Sequence, residues 1–176
     1  MQMLGGGLIL IGCLGMGLWY RDRWYRQQMV LRLHFTRELI CILEQWISEI
    51  RYNRSSLPEC CRQIGRQRKD CLGEICDSVY REYAASEDAG FLEFAQESFR
   101  HRLKPLPLKK EDIEQFLLFV GNEGYADEAM QIRAMELSRQ RLEQTAETQQ
   151  RELIQKCRLS VGLGAMSGLL LLILLV

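Results

Sequence analysis

Residues 159–176 read LSVGLGAMSGLLLLILLV and contain no charged side chain. As an α-helix with a rise of about 1.5 Å per residue, this run extends roughly 27 Å, close to the ~30 Å thickness of a hydrocarbon core. The stretch therefore predicts a transmembrane helix. The rest of the chain can be interpreted outward from it.

The opposite end of the sequence has the same character. Residues 1–20 read MQMLGGGLILIGCLGMGLWY, again without a charge, although six glycines lower the helix propensity. A cleaved signal peptide is the alternative, but its basic residues should precede the apolar run, whereas Arg21, Arg23 and Arg26 follow it here. The run thus predicts a second transmembrane helix. Four aromatic residues are expected at the membrane interface: Trp19, Tyr20, Trp24 and Tyr25.

Charge divides the chain into three parts. The 23 Lys and Arg residues and the 23 Asp and Glu residues all lie within residues 21–158, and the net charge of zero gives no general attraction for nucleic acid. Basic residues flank the inner end of each apolar run, so both flanks are predicted to lie in the cytoplasm. We therefore expect a transmembrane helix at 1–20, a cytoplasmic domain at 21–158 and a transmembrane helix at 159–176, with both termini on the opposite side.

The charged domain has helical periodicity. In Val30–Tyr52 apolar residues recur mostly at intervals of three and four, and no segment has sustained period-two alternation. After a break at 53–56, the sequence Ser56-Leu57-Pro58-Glu59 is typical of a helix start, with a capping serine and a glutamate three residues later. Further helices are predicted at 70–85, 91–103, 110–123 and from 125 onward. The fold class is all-α, an antiparallel bundle of about six helices flanked by the two transmembrane helices.

Cysteine is the residue type that most invites a chemical role. The chain has seven, of which four fall within a short segment: Cys60, Cys61, Cys71 and Cys76. Their CC-x9-C-x4-C spacing lacks the C-x2-C pairs of zinc sites, and on helices they point in different directions. Buried, apolar cysteines are therefore expected, with no metal and no cofactor. A redox-responsive or metal-responsive membrane sensor is the alternative function.

Other patterns give no catalytic site. His34 and His101 belong to no nucleophile–base spacing, and the domain has no glycine-rich phosphate loop, so no enzyme is predicted. Basic residues cluster at the end of the second predicted helix and around the linker Lys104-Pro105-Leu106-Pro107. Solvation is the ordinary explanation, and contact with anionic lipid or an acidic partner is the functional one.

Small residues recur in the last apolar run. Ser160, Gly164 and Gly168 are spaced by four, which lets another helix approach closely. We expect them to form a packing face within the membrane, with the glycine-rich first segment as its partner.

Two stretches and the terminal anchor carry a family resemblance. They are Leu43–Glu59 (LEQWISEIRYNRSSLPE) and Phe119–Met135 (FVGNEGYADEAMQIRAM). In their order and placement they resemble the stage III sporulation protein AB family of endospore-forming bacteria, over essentially the full length. The chain departs from the family pattern at Asn53, where a glycine is common after the tyrosine.

The resemblance implies a soluble domain similar to the cytoplasmic domain of the type II secretion F component, a platform protein. It implies a place in the mother-cell membrane around the forespore, within a channel complex linking the two cells. The implied partners are other stage III sporulation membrane proteins, a cytoplasmic secretion-type ATPase and membrane lipid, and homo-oligomerisation is left open. Family-matched residues expected to shape turns or present a docking surface are Glu49, Tyr52, Leu57, Pro58, Glu59, Gly121, Gly124 and Asp127.

Overall fold

The computed structural model describes residues 2–86, 90–119 and 128–175, with side chains for 23–86, 90–119 and 129–157. Every regular element among these residues is helical, which confirms the all-α prediction. The helices are α1 (Gln2–Asn53), α2 (Leu57–Gln67), α3 (Cys71–Ala85), α4 (Phe91–Leu103), α5 (Lys110–Phe116) and α6 (Glu128–Leu175), with a 3₁₀ turn at Leu117–Phe119.

The chain forms two compact units. One comprises residues 1–33 and 149–176, and the other comprises residues 34–148. The helices α1 and α6 each contribute residues to both units, because each continues without a break between a charged segment and an apolar terminal segment.

An aromatic cluster lies at the centre of the unit formed by residues 34–148. The Trp46 ring of α1 lies 5.9 Å from Phe99 of α4, and 5.7 Å from both Phe116 of α5 and Phe119 of the 3₁₀ turn, measured between ring centroids. Trp46, Phe116 and Phe119 are fully buried. Such ring pairs add about 0.5–1.5 kcal/mol each beyond the burial of their area, so this cluster stabilises the packing of four elements.

The buried face of α1 follows the predicted helical spacing. Its buried apolar side chains are Leu39, Ile42, Leu43, Trp46, Ile47 and Ile50. Val30, which was predicted on the same face, belongs to the other unit and is half exposed. The predicted face therefore begins later along α1 than the pattern suggested.

The helix predicted at 110–123 is shorter than expected. Helix α5 ends at Phe116, and Leu117 has φ −83° and ψ 1°, so the chain tightens into the 3₁₀ turn. This tightening directs Leu117 and Phe119 into the core, where both are buried. The rest of the predicted helix, 120–123, lies outside the described residues.

The predicted membrane segments fall largely outside the described side chains. Across the part of the chain that the structure describes, no helix is long and apolar enough to cross a membrane. The side chains of the predicted spans, 1–20 and 159–176, are not among those described, and neither are those of Ser160, Gly164 and Gly168. The two spans and their packing face stay predictions.

Candidate docking surface at the first interhelical turn

The turn between α1 and α2 ends one helix and begins the next within a few residues. Arg54 adopts a left-handed conformation with φ 51°, and its N–H donates to the carbonyl of Ile50 over 3.1 Å. The N–H of Ser55 donates to the carbonyl of Glu49 over 3.4 Å. These bonds satisfy carbonyls that the end of α1 would otherwise leave unpaired.

The left-handed residue of this turn is Arg54 and not Asn53. Asn53 is the last residue of α1, where the family commonly has a glycine. A non-glycine residue in this conformation costs roughly 1–2 kcal/mol, which the surrounding hydrogen bonds must offset. The departure at Asn53 therefore leaves the turn intact.

The start of α2 has the predicted capping arrangement. The Glu59 carboxylate accepts hydrogen bonds from the N–H and the Oγ–H of Ser56, each over 3.0 Å. The bond from the Ser56 N–H is the main reason that the pKa of Glu59 lies below its ordinary value of 4.5. Pro58 occupies the first turn of α2, where a missing N–H costs nothing, and Leu57 is buried.

Glu49 joins the two helices across the turn. Its Oε2 accepts from Nδ2 of Asn53 over 2.6 Å, and its Oε1 accepts from Nε2 of Gln63 in α2 over 2.9 Å. Glu49 and Gln63 also line a groove of about 210 Å³, together with Trp46 and Cys60. One carboxylate thus fixes the end of α1, the turn and the first half of α2.

Tyr52 is the family-matched residue that this turn presents to the outside. Its side chain is 77 % exposed, whereas Leu57 is buried and both Glu49 and Glu59 are used in hydrogen bonds within the turn. The structure therefore separates the predicted residues into those that shape the turn and one that is available for contact. The predicted Gly121, Gly124 and Asp127 lie outside the described residues.

Two ion pairs beside this surface could not be found from the sequence. Arg51 of α1 pairs with Glu136 of α6 over 2.5 Å, and Arg139 of α6 lies 3.6 Å from Glu44 of α1. The paired residues are far apart in the chain, and no local motif connects them. They connect the last three turns of α1 to α6.

The clustered cysteines are mostly buried, as predicted. Cys60, Cys61 and Cys76 are buried, whereas Cys71 is exposed. Burial raises the pKa of Cys60 and of Cys76 to about 12, and it raises the pKa of Cys61 well above its ordinary value. The thiolate is the nucleophile and the metal ligand, so this burial works against the sensor hypothesis.

The potential metal ligands among the described side chains are dispersed. Among them, no three His, Cys, Asp or Glu residues are grouped so as to hold a metal ion. Cys71 lies at the start of α3 and faces outward, while Cys76 on the same helix faces the core. Their separation by five residues accounts for this difference in direction.

The described part of the chain is thus a helical domain with an ordered turn between α1 and α2. The chain belongs to the stage III sporulation protein AB family, because that family's model matches residues 2–176. This confirms the resemblance noted in the sequence. Searches of curated proteins and of solved structures gave no match.

Proposed function

We propose that this protein is a non-enzymatic membrane platform subunit of a secretion-like channel complex between mother cell and forespore. Membership of the family gives the chain a role in stage III of sporulation. The proposal adds that the helical domain is cytoplasmic and docks a secretion-type ATPase. It also adds that the two terminal helices anchor the domain in the mother-cell membrane around the forespore, beside other stage III membrane proteins, with both termini on the opposite side.

The observation that carries the docking part of the proposal is the exposure of Tyr52 on a turn that is held rigidly. Exposed aromatic residues on ordered backbone are favoured at protein interfaces, since they contribute a large contact area and lose little conformational entropy on binding. Glu49, Arg54 and the Ser56–Glu59 cap fix the backbone on both sides of Tyr52. A partner would meet this surface without first having to order it.

The unit formed by residues 1–33 and 149–176 supports the membrane part of the proposal. Trp24 and Tyr25 are 58 % and 49 % exposed, and the Lys156 Nζ lies 4.4 Å from the centroid of the Tyr25 ring. In the same unit, Arg26 donates to the Sγ of Cys157 over 3.7 Å. Exposed aromatic rings beside cationic groups are typical of the layer between lipid headgroups and water.

The proposal is tested by placing a photoreactive amino acid at position 52 of the full chain in sporulating cells. We expect crosslinks to the sporulation ATPase from position 52, and none from position 130, where Met130 is also exposed but lies on α6. The matched substitutions Tyr52→Ala and Met130→Ala are then compared by co-purification. Loss of an interface aromatic typically costs ~1–3 kcal/mol, so recovery of the ATPase with Tyr52→Ala should fall by about tenfold or more.

Two results would count against this proposal. Equal recovery of the ATPase with both variants would show that Tyr52 does not belong to the interface. If position 52 crosslinked only to proteins outside the membrane complex, the proposed platform role would be wrong. Loss of spore formation with Tyr52→Ala at unchanged protein level would support the proposal.

A further inference from the structure

A second groove lies at the proline linker between α4 and α5. It has a volume of about 310 Å³ and is lined by Arg100, Lys104, Leu108, Lys110, Ile113 and Glu114. We call it the linker groove. None of its residues belongs to the turn between α1 and α2.

The floor of the linker groove is apolar and its rim is cationic. Leu108 and Ile113 form the apolar part, and Leu108 is only partly buried. Lys104 and Lys110 are exposed at the rim, and neither has a carboxylate within ion-pair distance among the described side chains. The groove thus combines an apolar surface with two exposed lysines, of which Lys110 also lowers the pKa of Glu114 by electrostatic attraction.

Within the linker groove, Arg100 is already paired with a carboxylate of the domain itself. Arg100 contacts Glu114 through two hydrogen bonds, from Nε to Oε1 over 3.0 Å and from Nη2 to Oε2 over 3.1 Å. Glu114 is therefore bonded to a planar guanidinium, and Lys110 acts on it only as a weaker electrostatic partner. Arg100 also lies 3.4 Å from Glu97, so the excess positive charge of the groove comes from Lys104 and Lys110.

The linker itself has little freedom to move. Pro105 and Pro107 fix their own φ angles, and neither has an N–H to satisfy. The N–H of Leu106 donates to the carbonyl of Leu103 over 3.1 Å, and the N–H of Leu108 donates to the carbonyl of Leu106 over 2.7 Å. The groove is therefore formed before any partner arrives.

We propose that the linker groove binds a short acidic segment of a partner protein, with an apolar side chain over Leu108 and Ile113 and carboxylates beside Lys104 and Lys110. Charge complementarity selects an acidic occupant, and the concave apolar floor selects a segment that carries an apolar side chain. A flat anionic membrane would reach the two lysines but leave the floor uncovered. A protein segment satisfies both features, so we favour it over lipid.

The test uses the full chain in nanodiscs of phosphatidylcholine, which is neutral overall. The probe is a fluorescent synthetic peptide in which Glu alternates with Leu, and binding is followed by anisotropy. Two control peptides replace Glu by Gln or Leu by Ser. The test variant is Lys104→Glu with Lys110→Glu, and the matched control is Arg66→Glu with Lys69→Glu, which makes the same change in charge at exposed positions elsewhere.

We expect the acidic peptide to bind the wild-type chain more tightly than either control peptide. Reversal of the two rim charges should weaken binding by about tenfold or more, and added salt should weaken the wild-type interaction. The Arg66→Glu with Lys69→Glu variant should bind within about twofold of wild type. Exposed charges away from the groove attract the peptide only weakly, because solvent screens them. Circular dichroism of both variants checks that they remain folded.

Three results would overturn the proposal. The first is equal weakening by both double variants, which would indicate general charge attraction. The second is binding of the Ser-for-Leu peptide as tightly as the Leu peptide, which would exclude the apolar floor. The third is failure of the peptide to bind while phosphatidylglycerol vesicles bind in a manner that depends on Lys104 and Lys110, which would assign the groove to a lipid surface.

Discussion

Gly65 lies where α2 approaches α3 closely. A Cβ at position 65 would lie 2.6 Å from the Cβ of Asp77 and 2.9 Å from its Cα, which is too short for any real contact. Because one of these atoms is backbone, the two helices would have to move apart. The glycine is thus required by the packing of its neighbour and not by its own backbone angles.

We predict that Gly65→Ser destabilises the domain by about 1–3 kcal/mol, as overpacking typically does, even though serine is the better helix former. Gly90→Ser is the matched control, because a Cβ at Gly90 meets nothing within 4 Å and serine is a good N-cap for α4. Thermal unfolding of the full chain in detergent, followed by circular dichroism, measures the difference. Equal melting temperatures for the two variants would contradict the close approach of α2 and α3.

Thiol reactivity should divide the cysteines by their burial. At pH 8 a thiol with a pKa near 12 is ionised in only about one molecule in ten thousand, so Cys60 and Cys76 should resist alkylation in the folded protein. Cys41 and Cys71 are exposed and should react first, although partial desolvation of each thiol and nearby carboxylates also raise its pKa. Brief exposure to iodoacetamide, followed by peptide-resolved mass spectrometry, measures the order.

Denatured protein provides the control for this experiment, since all cysteines should then react alike. Rapid alkylation of Cys60, Cys61 and Cys76 in the folded chain would show that they reach solvent. That result would support the alternative hypothesis of a redox-responsive sensor.

At the scale of the helices, the connection between α2 and α3 is held by one arginine. Arg68 bonds to Glu38 of α1 and to Asp70, whose Oδ2 lies 2.5 Å from the Arg68 Nη2. Asp70 in turn caps α3 by accepting from the N–H of Gly73 over 2.9 Å. Three helices are therefore connected through a single guanidinium and a single N-cap.

Helix capping should make the free energy of unfolding depend on pH under acidic conditions. The pKa of Glu59 is lowered by its bond from the Ser56 N–H, and the pKa of Asp70 is lowered mainly by Arg68. A carboxyl group whose pKa is lower in the folded than in the unfolded chain stabilises the fold above the unfolded pKa, and that stability is lost as pH falls through the folded pKa. We predict that the free energy of unfolding is constant near neutral pH and declines below pH 4.5.

Urea unfolding of the wild-type chain and of Glu59→Gln across this range tests the prediction. The amide removes the titrating group, so the decline should be shallower in Glu59→Gln. Glu111→Gln is a suitable control because Glu111 is also exposed, in the first turn of α5. A decline that is equally steep in all three proteins would exclude the α2 cap as a contributor.

The same elements show which features a sequence can predict. The starts of α2 and α3 were predicted correctly, because the hydrogen bonds that define them are local. These bonds join Ser56 to Glu59, and Asp70 to a residue three positions later. The Arg51–Glu136 ion pair and the contact of Gly65 with Asp77 depend on how distant segments pack, so no local pattern reveals them. The end of α5 was predicted too late because Leu117 and Phe119 have ordinary helix-compatible side chains. They turn into the core, where the Phe119 ring lies against Trp46.

The candidate site was only partly predictable for a similar reason. The resemblance to the family selected Glu49, Tyr52, Leu57 and Glu59 together, since all four follow one another in the motif. In the structure Leu57 is buried, whereas Tyr52 is exposed. Glu49 and Glu59 are engaged in hydrogen bonds within the turn, so only Tyr52 is available for contact. A pattern gives neighbours along the chain, whereas solvent exposure depends on the whole fold.

At the scale of the whole molecule, the proposed role depends on which side of the membrane the helical domain lies. Arg23 and Arg26 follow one apolar run, and Arg151 and Lys156 precede the other, so the positive-inside rule assigns both flanks to the cytoplasm. In the proposed orientation, the charged domain would lie on the side where an ATPase has access to its nucleotide. Tyr52 and the linker groove would then lie in the same compartment.

Reporter fusions in a bacterial host test this orientation. A green fluorescent protein joined after Ser86 should fluoresce, and alkaline phosphatase joined at the same position should be inactive, because both would lie in the cytoplasm. Alkaline phosphatase joined after Val176 should be active, because two spans would return the chain to the outer side. Replacing Arg23 and Arg26 by Glu should lower the fluorescence after Ser86, since it removes basic residues that hold this flank inside. Active phosphatase after Ser86 in the wild-type chain would invert the topology, and the helical domain would then lie out of reach of any cytoplasmic ATPase.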